Sequence, residues 1–379
     1  MDREQEPTRL IELEPRLLVL FLFITIPFIL IGCLFILGFV RSEMNETVGE
    51  NLHGAAADTA RYLDSYVLHT LTHVSVLAAT PTLQSSVASA NSRYRSSPDS
   101  IRDELLERDA EWTRARGATP LALELVAGPA SEFLRRIASF NTTYREILLT
   151  DRQGALVAAT NITTDYFQAD EPWWRETFGD GELGALHVSN VAFDASAGAY
   201  VLEVAVPVRN DLGEGTSEVS GVLKVLIEAT DLITVVGAVR RGQYGHALLV
   251  DASDGTVIVG TDVSDIMRRE YAAMLPLREA AADGRTSFVG RHTEGTVWHA
   301  GFARMPEPSV SPELDWFVVV QQPLDQANAA TRAATIYMVI FFAGMVLLIL
   351  AFSLYMHFKL VRPIREIDLR EEMERLAET

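Results

Sequence analysis

The chain has 379 residues, 48% of them apolar and 22% charged, enough for two or three domains and incompatible with a disordered tail or fibrous repeat. With 32 basic against 51 acidic side chains the net charge is −19, the wrong sign for a nucleic-acid binder. The single cysteine, Cys33, excludes an intramolecular disulfide framework and any cysteine-cluster metal site. Mean hydropathy is nevertheless slightly positive, so the apolar residues must be concentrated in a few segments.

Two segments hold them. Leu17 to Val40 and Ala333 to Phe358 carry no charge if His357 is neutral, and each exceeds the about 20 residues that cross a hydrocarbon core as a helix. Gly38, Phe39, Val40 and Arg41 make a poor cleavage site, so the first segment reads as an uncleaved anchor rather than a signal peptide. Cations are retained on the cytoplasmic side of a span. Arg3, Arg9 and Arg16 precede the first span, and Lys359, Arg362, Arg365, Arg370 and Arg375 follow the second. The expected layout is a cytoplasmic segment 1–16, span 17–40, an extracytoplasmic domain 41–332, span 333–358 and a cytoplasmic segment 359–379. That places a two-pass protein in the inner (plasma) membrane, with its large domain periplasmic or extracellular.

Beyond the first span, Val48, Leu52, Ala55, Thr59, Tyr62 and Tyr66 recur at spacings of four and three, the seam of a helix packing on a partner. A second seam, Leu63, Val67, Leu71, Val74 and Ala78, begins on a neighbouring face. The spacing predicts one stalk helix over 42–80, first facing a partner stalk and then its own domain, and ended by Pro81. Residues 91–139 read as polar helices, with Ser97 before Pro98 and Thr119 before Pro120 as cap pairs. Strands follow. Tyr144 leads to Asp151 and then Gly154, while Tyr244 leads to Asp251 and then Gly255, each turn joining two apolar strands. The hairpin thus occurs twice about 100 residues apart, and an internal repeat is the economical reading. Strands over 200–208 and 219–228 and a helix over 229–240 complete the first copy. Strands over 296–303 and 316–321 complete the second, and Leu324 onward continues as a helix into the second span.

This layout resembles the double Cache (dCache) sensor domains of prokaryotic receptors, over about residues 42–330. The resemblance rests on the stalk helix, the duplicated Asp-to-Gly hairpins and the block Asp170, Glu171, Pro172, Trp173, Trp174. It rests also on Asp194 followed by Ser196 and Gly198, and on Gly221, Val222 and Leu223. It implies an α+β fold: a long stalk helix carrying two tandem PAS-like Cache modules with antiparallel sheets, flanked by two transmembrane helices. The membrane-distal module, 140–240, is then expected to hold the ligand and the proximal module, 241–325, to pass the signal on. Amino-acid-binding members carry an Arg, a Tyr, a Tyr and an Asp where this chain has Glu171, Trp174, Ala192 and Leu226; of that pattern only Trp173 and Asp194 survive. An ordinary α-amino acid is therefore not implied. Leu360, Val361, Arg362, Pro363 and Ile364 look like the entry of a HAMP signalling helix, which Ile367, Met373 and Leu376 extend as a partial stripe. No second HAMP helix or output domain follows in 359–379, so the expectation is a longer protein or a separate partner.

The candidate ligand residues are Tyr166, Gln168, Asp170, Trp173, Trp174, Asp194 and Lys224. Aromatic walls with a few convergent polar groups make small-molecule pockets. The competing reading is that one Trp is core and the acids cap the helix beginning at Pro172. Lys224 lies in an apolar strand, with Val222 and Leu226 on its face, in a chain whose only other lysine is Lys359. A buried ammonium needs a partner: either an anionic, carboxylate-bearing ligand or an internal ion pair with Asp194 or Asp170, unless an edge position lets it reach water. His69 and His73, four apart, read as a solvated helix face rather than a metal site. No catalytic motif is found, so neither enzymatic activity nor a cofactor is expected of this portion. The expected function is a transmembrane receptor sensing a small extracytoplasmic ligand and relaying it through the second span to a cytoplasmic output, as a parallel homodimer. The rival is a membrane-anchored ligand-binding or scaffold subunit acting through a separate partner protein.

Overall fold

The computed structural model describes residues 15–182, 184–211, 217–241, 245–260, 267, 270–291, 295–305, 314–327, 329–356, 358 and 373. Residues 1–14 of the segment expected to be cytoplasmic, Tyr244, and the HAMP-like run expected after residue 359, apart from Met373, lie outside the described residues. The chain divides into two compact units, Gly49–Leu324 and the pair of segments Met1–Val48 and Asp325–Thr379. In the second unit the start of α1 (Pro15–Ala78) and, later in the chain, the helix Ala329–Met356 are long and apolar enough to cross a membrane. Phe23 and Phe35 there are 78% and 75% exposed.

In the first unit, α1 buries Leu52, Ala55, Thr59, Leu63, Val67, Leu71 and Val74. Leu52, Ala55 and Thr59 of the first seam thus join the second in contact with the helix's own domain, while Tyr62 stays exposed. This corrects the expectation that Leu52 and Tyr66 face a partner stalk: Leu52 is 2% exposed, and the Tyr66 hydroxyl donates to Asp231 at 3.1 Å. Four short helices follow, α2 (Pro81–Asn91), α3 (Pro98–Arg114), α4 (Pro120–Ala127) and α5 (Pro129–Phe140). Each opens on a proline, whose missing N–H is one the first turn leaves unpaired anyway. Ser97 and Thr119 cap α3 and α4, accepting from the N–H of Ser100 and Ala122 at 3.5 and 3.1 Å.

The first module, called distal after its expected position, contains β1 (Tyr144–Asp151), β2 (Leu156–Ala159), α6 (Pro172–Phe178), β3 (His187–Val188), β4 (Ala192–Asp194), β5 (Ala199–Asp211) and β6 (Ser217–Glu228). Its sheet has the order β2-β1-β6-β5-β3, with β4 also on β5. After α7 (Thr230–Ala238) the proximal module contains β7 (Arg240–Arg241), β8 (Gly245–Asp251), β9 (Val257–Val259), α8 (Met274–Ala282), β10 (Ser287–Arg291), β11 (Val297–Arg304) and β12 (Trp316–Pro323). The order is β10-β11-β12-β8-β7, with β9 on β8. The chain then continues through α9 (Leu324–Ala327) to α10 (Ala329–Met356).

The repeat is visible at single hydrogen bonds. Gly154 and Gly255 sit at φ of 82° and 87°, a backbone that favours glycine. Their carbonyls accept from the N–H of Gln168 and Tyr271, both at 2.8 Å. The strand registers superimpose the two sheets: Leu149 pairs with Leu223 and Leu223 with Val206, as Leu249 pairs with Val318 and Val318 with Ala303. The shared frame aligns Lys224 with Val319, Ala205 with Phe302, and Glu203 with Ala300. In the proximal copy, Leu248, Ala300, Phe302 and Val319 belong to one apolar core. The same sheet face in the distal copy is core only in part.

Candidate ligand site

That distal face carries a core at one end and a cavity at the other. Leu148, Leu156, Ala205 and Val222 pack with Trp112, Tyr166 and Trp174 of the helical layer and loops. Further along, a cavity of about 400 Å³ is lined from β1 by Glu146 and Leu148, from β6 by Lys224 and Leu226, and from β5 by Glu203. The segment 163–176 closes one side with Thr163, Asp165, Gln168, Glu171, Trp173 and Glu176, and β3, β4 and their loops add His187, Ser189, Asn190, Asp194 and Ser196. Strand alternation explains which side chains point inward.

Of the residues singled out from the sequence, Gln168, Trp173, Asp194 and Lys224 line the cavity; Tyr166, Asp170 and Trp174 do not. Tyr166 is 5% exposed within the apolar core and lies 5.7 Å from the Trp112 ring. Trp174 stacks on Phe178 at 4.5 Å and donates its indole N–H to Thr150 Oγ1 at 3.0 Å. Consecutive helical positions point apart, so one tryptophan faces the cavity and its neighbour the core. Asp170 is exposed, and its contact is its backbone carbonyl, which accepts from Arg175 at 2.6 Å. Glu171 is the residue before α6 but makes no side-chain cap; it faces the cavity instead.

Lys224 is buried, and its Nζ lies 3.0 Å from Glu203 Oε2 and 4.6 Å from the centre of the Trp173 ring. The internal partner is therefore Glu203, not Asp194 or Asp170. Lys224 faces Ala205 and Leu226 faces Glu203 across β5 and β6, and the diagonal between them is within a long side chain's reach. One carboxylate and one aromatic face thus already engage an ammonium that has three N–H groups in all.

The remaining charge is acidic. Glu146, Asp165, Glu171, Glu176, Asp194 and Glu203 line the cavity, six carboxylates against Lys224 and His187. His187 Nδ1 lies 2.7 Å from Glu176 Oε2. Ser196 Oγ sits 2.7 Å from Asp194 Oδ1 and 3.0 Å from Glu146 Oε2, yet a hydroxyl has one proton to donate. Burial pushes the Glu146 carboxyl up, the Ser196 contact opposes this, and the neighbouring Asp194 adds to it. Asp194 goes the other way: burial disfavours its charge, but hydrogen bonds from Ser196 and the Ala197 N–H outweigh that and hold it below its usual range. Burial, together with Asp165 and Asp170, also raises Glu171. Glu146, Asp165, Glu176 and Glu203 were not legible as site residues, because only the fold brings them from four separate elements to one wall. A charged residue inside an apolar run was the available signal, and Glu203 carries it as Lys224 does, whereas Glu146 stands beside Arg145.

The Cache domain family profile, of the double dCache type, matches residues 40–331. No curated protein matches the chain. Among solved structures, the ligand-binding domain of the Campylobacter jejuni chemoreceptor Tlp3 in complex with L-norvaline is 13% identical, with a TM-score of 0.50, covering 77% of this chain and 96% of that one. The ligand-binding domain of the Pseudomonas aeruginosa amino-acid chemoreceptor PctB in complex with L-Arg is 17% identical, with a TM-score of 0.45 and coverage of 75% and 98%. The Pseudomonas fluorescens chemoreceptor CtaA domain in complex with L-serine is 15% identical, with a TM-score of 0.46 and coverage of 75% and 99%.

Proposed function

The chain belongs to the Cache domain family, of the double type, and on that premise we propose that it is the sensor of a two-span membrane receptor whose distal module binds a small organic cation. The two apolar helices and their flanking arginines support an extracytoplasmic sensor with both ends of the chain inside. Ligand binding alters the distal module, the proximal module transmits the change, and the second span carries it to a cytoplasmic output. The receptor works as a parallel homodimer.

The observation that carries the ligand class is the cavity's charge: six carboxylates and a lysine already matched by Glu203. Glu146 is buried and four of the others are half-buried, and carboxylates so placed that share too few donors are stabilised by a cation among them; Trp173 supplies an aromatic wall for one. A cavity of about 400 Å³ suits a molecule of metabolite size. The carboxylate-bearing ligand suggested by Lys224 alone gives way to an amine.

Thermal unfolding of the full chain in detergent tests this, because a bound ligand raises the melting temperature by mass action. Diamines such as 1,4-diaminobutane should raise it in a concentration-dependent way, and dicarboxylates of equal length should not. Stabilisation by the dicarboxylates alone would overturn the reading.

A further inference from the structure

Asn190, between β3 and β4, lines the distal cavity while its amide is held by the proximal module. Its Nδ2 donates to Asp251 Oδ2, and its Oδ1 accepts from the Trp316 indole N–H at 3.0 Å and from the Val191 N–H at 2.9 Å. Asp251 ends β8, Trp316 begins β12, and the two are register partners. One cavity residue therefore clasps the ends of two adjacent central strands in the proximal sheet, and β12 is the strand by which the chain leaves that sheet toward the second span.

The repeat shows what is special about this clasp. Asp251 is the counterpart of Asp151, and each uses Oδ1 to cap its own hairpin. Asp151 accepts from the N–H of Gln153 and Ala155 at 2.8 and 3.1 Å, and Asp251 from the N–H of Ser253 at 2.7 Å. Each has Oδ2 left for a distant partner. In the distal copy that partner is the Tyr94 hydroxyl, from the helical layer of the same module. In the proximal copy it is Asn190, from the other module.

We propose that Asn190 is the positioning residue through which an occupied distal cavity acts on the proximal module. Both acceptor sites of its amide oxygen are in use, so a ligand that donates to that oxygen must loosen its bond with Trp316 or with Val191. Trp316 is fully buried, so water does not replace a lost partner, and the indole and the Asp251 carboxylate must move to recover one. Occupancy is thereby converted into a shift at the ends of β8 and β12.

The test needs no ligand affinity, so it stands whether or not the cavity prefers amines. The full chain in detergent is labelled with 5-fluorotryptophan on a Cys33→Ser background, and the Trp316 resonance is assigned with Trp316→Phe. Ala192, an exposed cavity-lining residue, is changed to cysteine and modified with a trimethylammonium-ethyl methanethiosulfonate, which tethers a cation in the cavity. Modification should shift the Trp316 resonance, leave that of Trp112 in the helical layer in place, and lose at least half of the Trp316 shift in Asn190→Ala. A Trp316 resonance that stays put, or that shifts equally without Asn190, overturns the proposal. Should Asn190→Ala fail to fold, Asp251→Asn keeps the shape of the clasp and weakens its charge-assisted bond; an undiminished shift in that variant overturns the proposal equally.

Discussion

Glu146 and Asp194 contend for the single proton of Ser196, and the contest sets a pH dependence. Burial holds the Glu146 carboxyl above its usual range. Between the ordinary and the raised value, the Glu146 carboxyl of the empty cavity holds a proton of its own, and a bound cation expels it. Affinity for 1,4-diaminobutane should therefore rise with pH through this window and level off above it. Calorimetry in buffers of different ionisation heat should register proton release. Glu146→Gln should abolish the release and weaken binding on the order of tenfold, about 1.4 kcal/mol; wild-type binding without proton release would remove Glu146 from the site. At this scale the sequence marks anomalies but not their resolution. The scarcity of lysine and the apolar strand around it single out Lys224, while its partner Glu203 depends on which strand lies beside β6 and in what register. The same limit applies to Trp173 and Trp174, whose sides are settled by the direction from which α6 meets the sheet.

The stalk shows the limit for an element. Its periodicity reports that one face is buried, and the same spacings serve equally for contact with a partner helix or with the helix's own domain. Close approach decides it here. A Cβ on Gly301 of β11 would stand 2.2 Å from the His53 backbone nitrogen, and one on Gly49 would stand 2.4 Å from Ser287 Oγ. These glycines let α1 lie directly on the proximal sheet, a role that a turn-seeking reading of glycine does not suggest. The face left for a second copy carries Tyr62, Leu68 and Val76, 57%, 55% and 65% exposed, alongside His69 and His73, whose rings lie 4.2 Å apart. For the proposed homodimer, Leu68→Cys on a Cys33→Ser background should form an oxidative crosslink in membranes and Leu52→Cys should not. Crosslinking at Leu52 alone would return the dimer seam to the buried face.

For the whole molecule, acidity and histidine burial set the response to pH. His299 is 4% exposed, with its Nδ1 unpartnered, and burial lowers its pKa below the usual value of about 6.5. The unfolded chain takes up a proton there that the folded chain resists, so this contribution to stability is complete above about pH 6.5 and is lost as pH falls below it. Glu146 and Asp151, raised by burial, have the opposite sign, favouring the fold at the acidic end of their own window. The difference between wild type and His299→Leu isolates the histidine. The variant should lose less melting temperature between pH 7.5 and 5.5, and parallel profiles would show that His299 does not titrate in the unfolded chain alone.

The sequence by itself determined the fold class, the duplication and the two apolar helices. These rest on local, periodic signals: unbroken hydropathy, strand-length apolar runs, and an Asp-to-Gly turn that repeats. Only the tertiary structure decided that one copy of the sheet face is packed shut by Phe302 and Val319 while the other opens among six carboxylates. It also decided that Asn190 of one module holds Asp251 and Trp316 of the other. The physical reason is shared. Charge balance in a cavity and a hydrogen bond between modules are sums over residues distant in the chain, and register and packing alone select which of them meet.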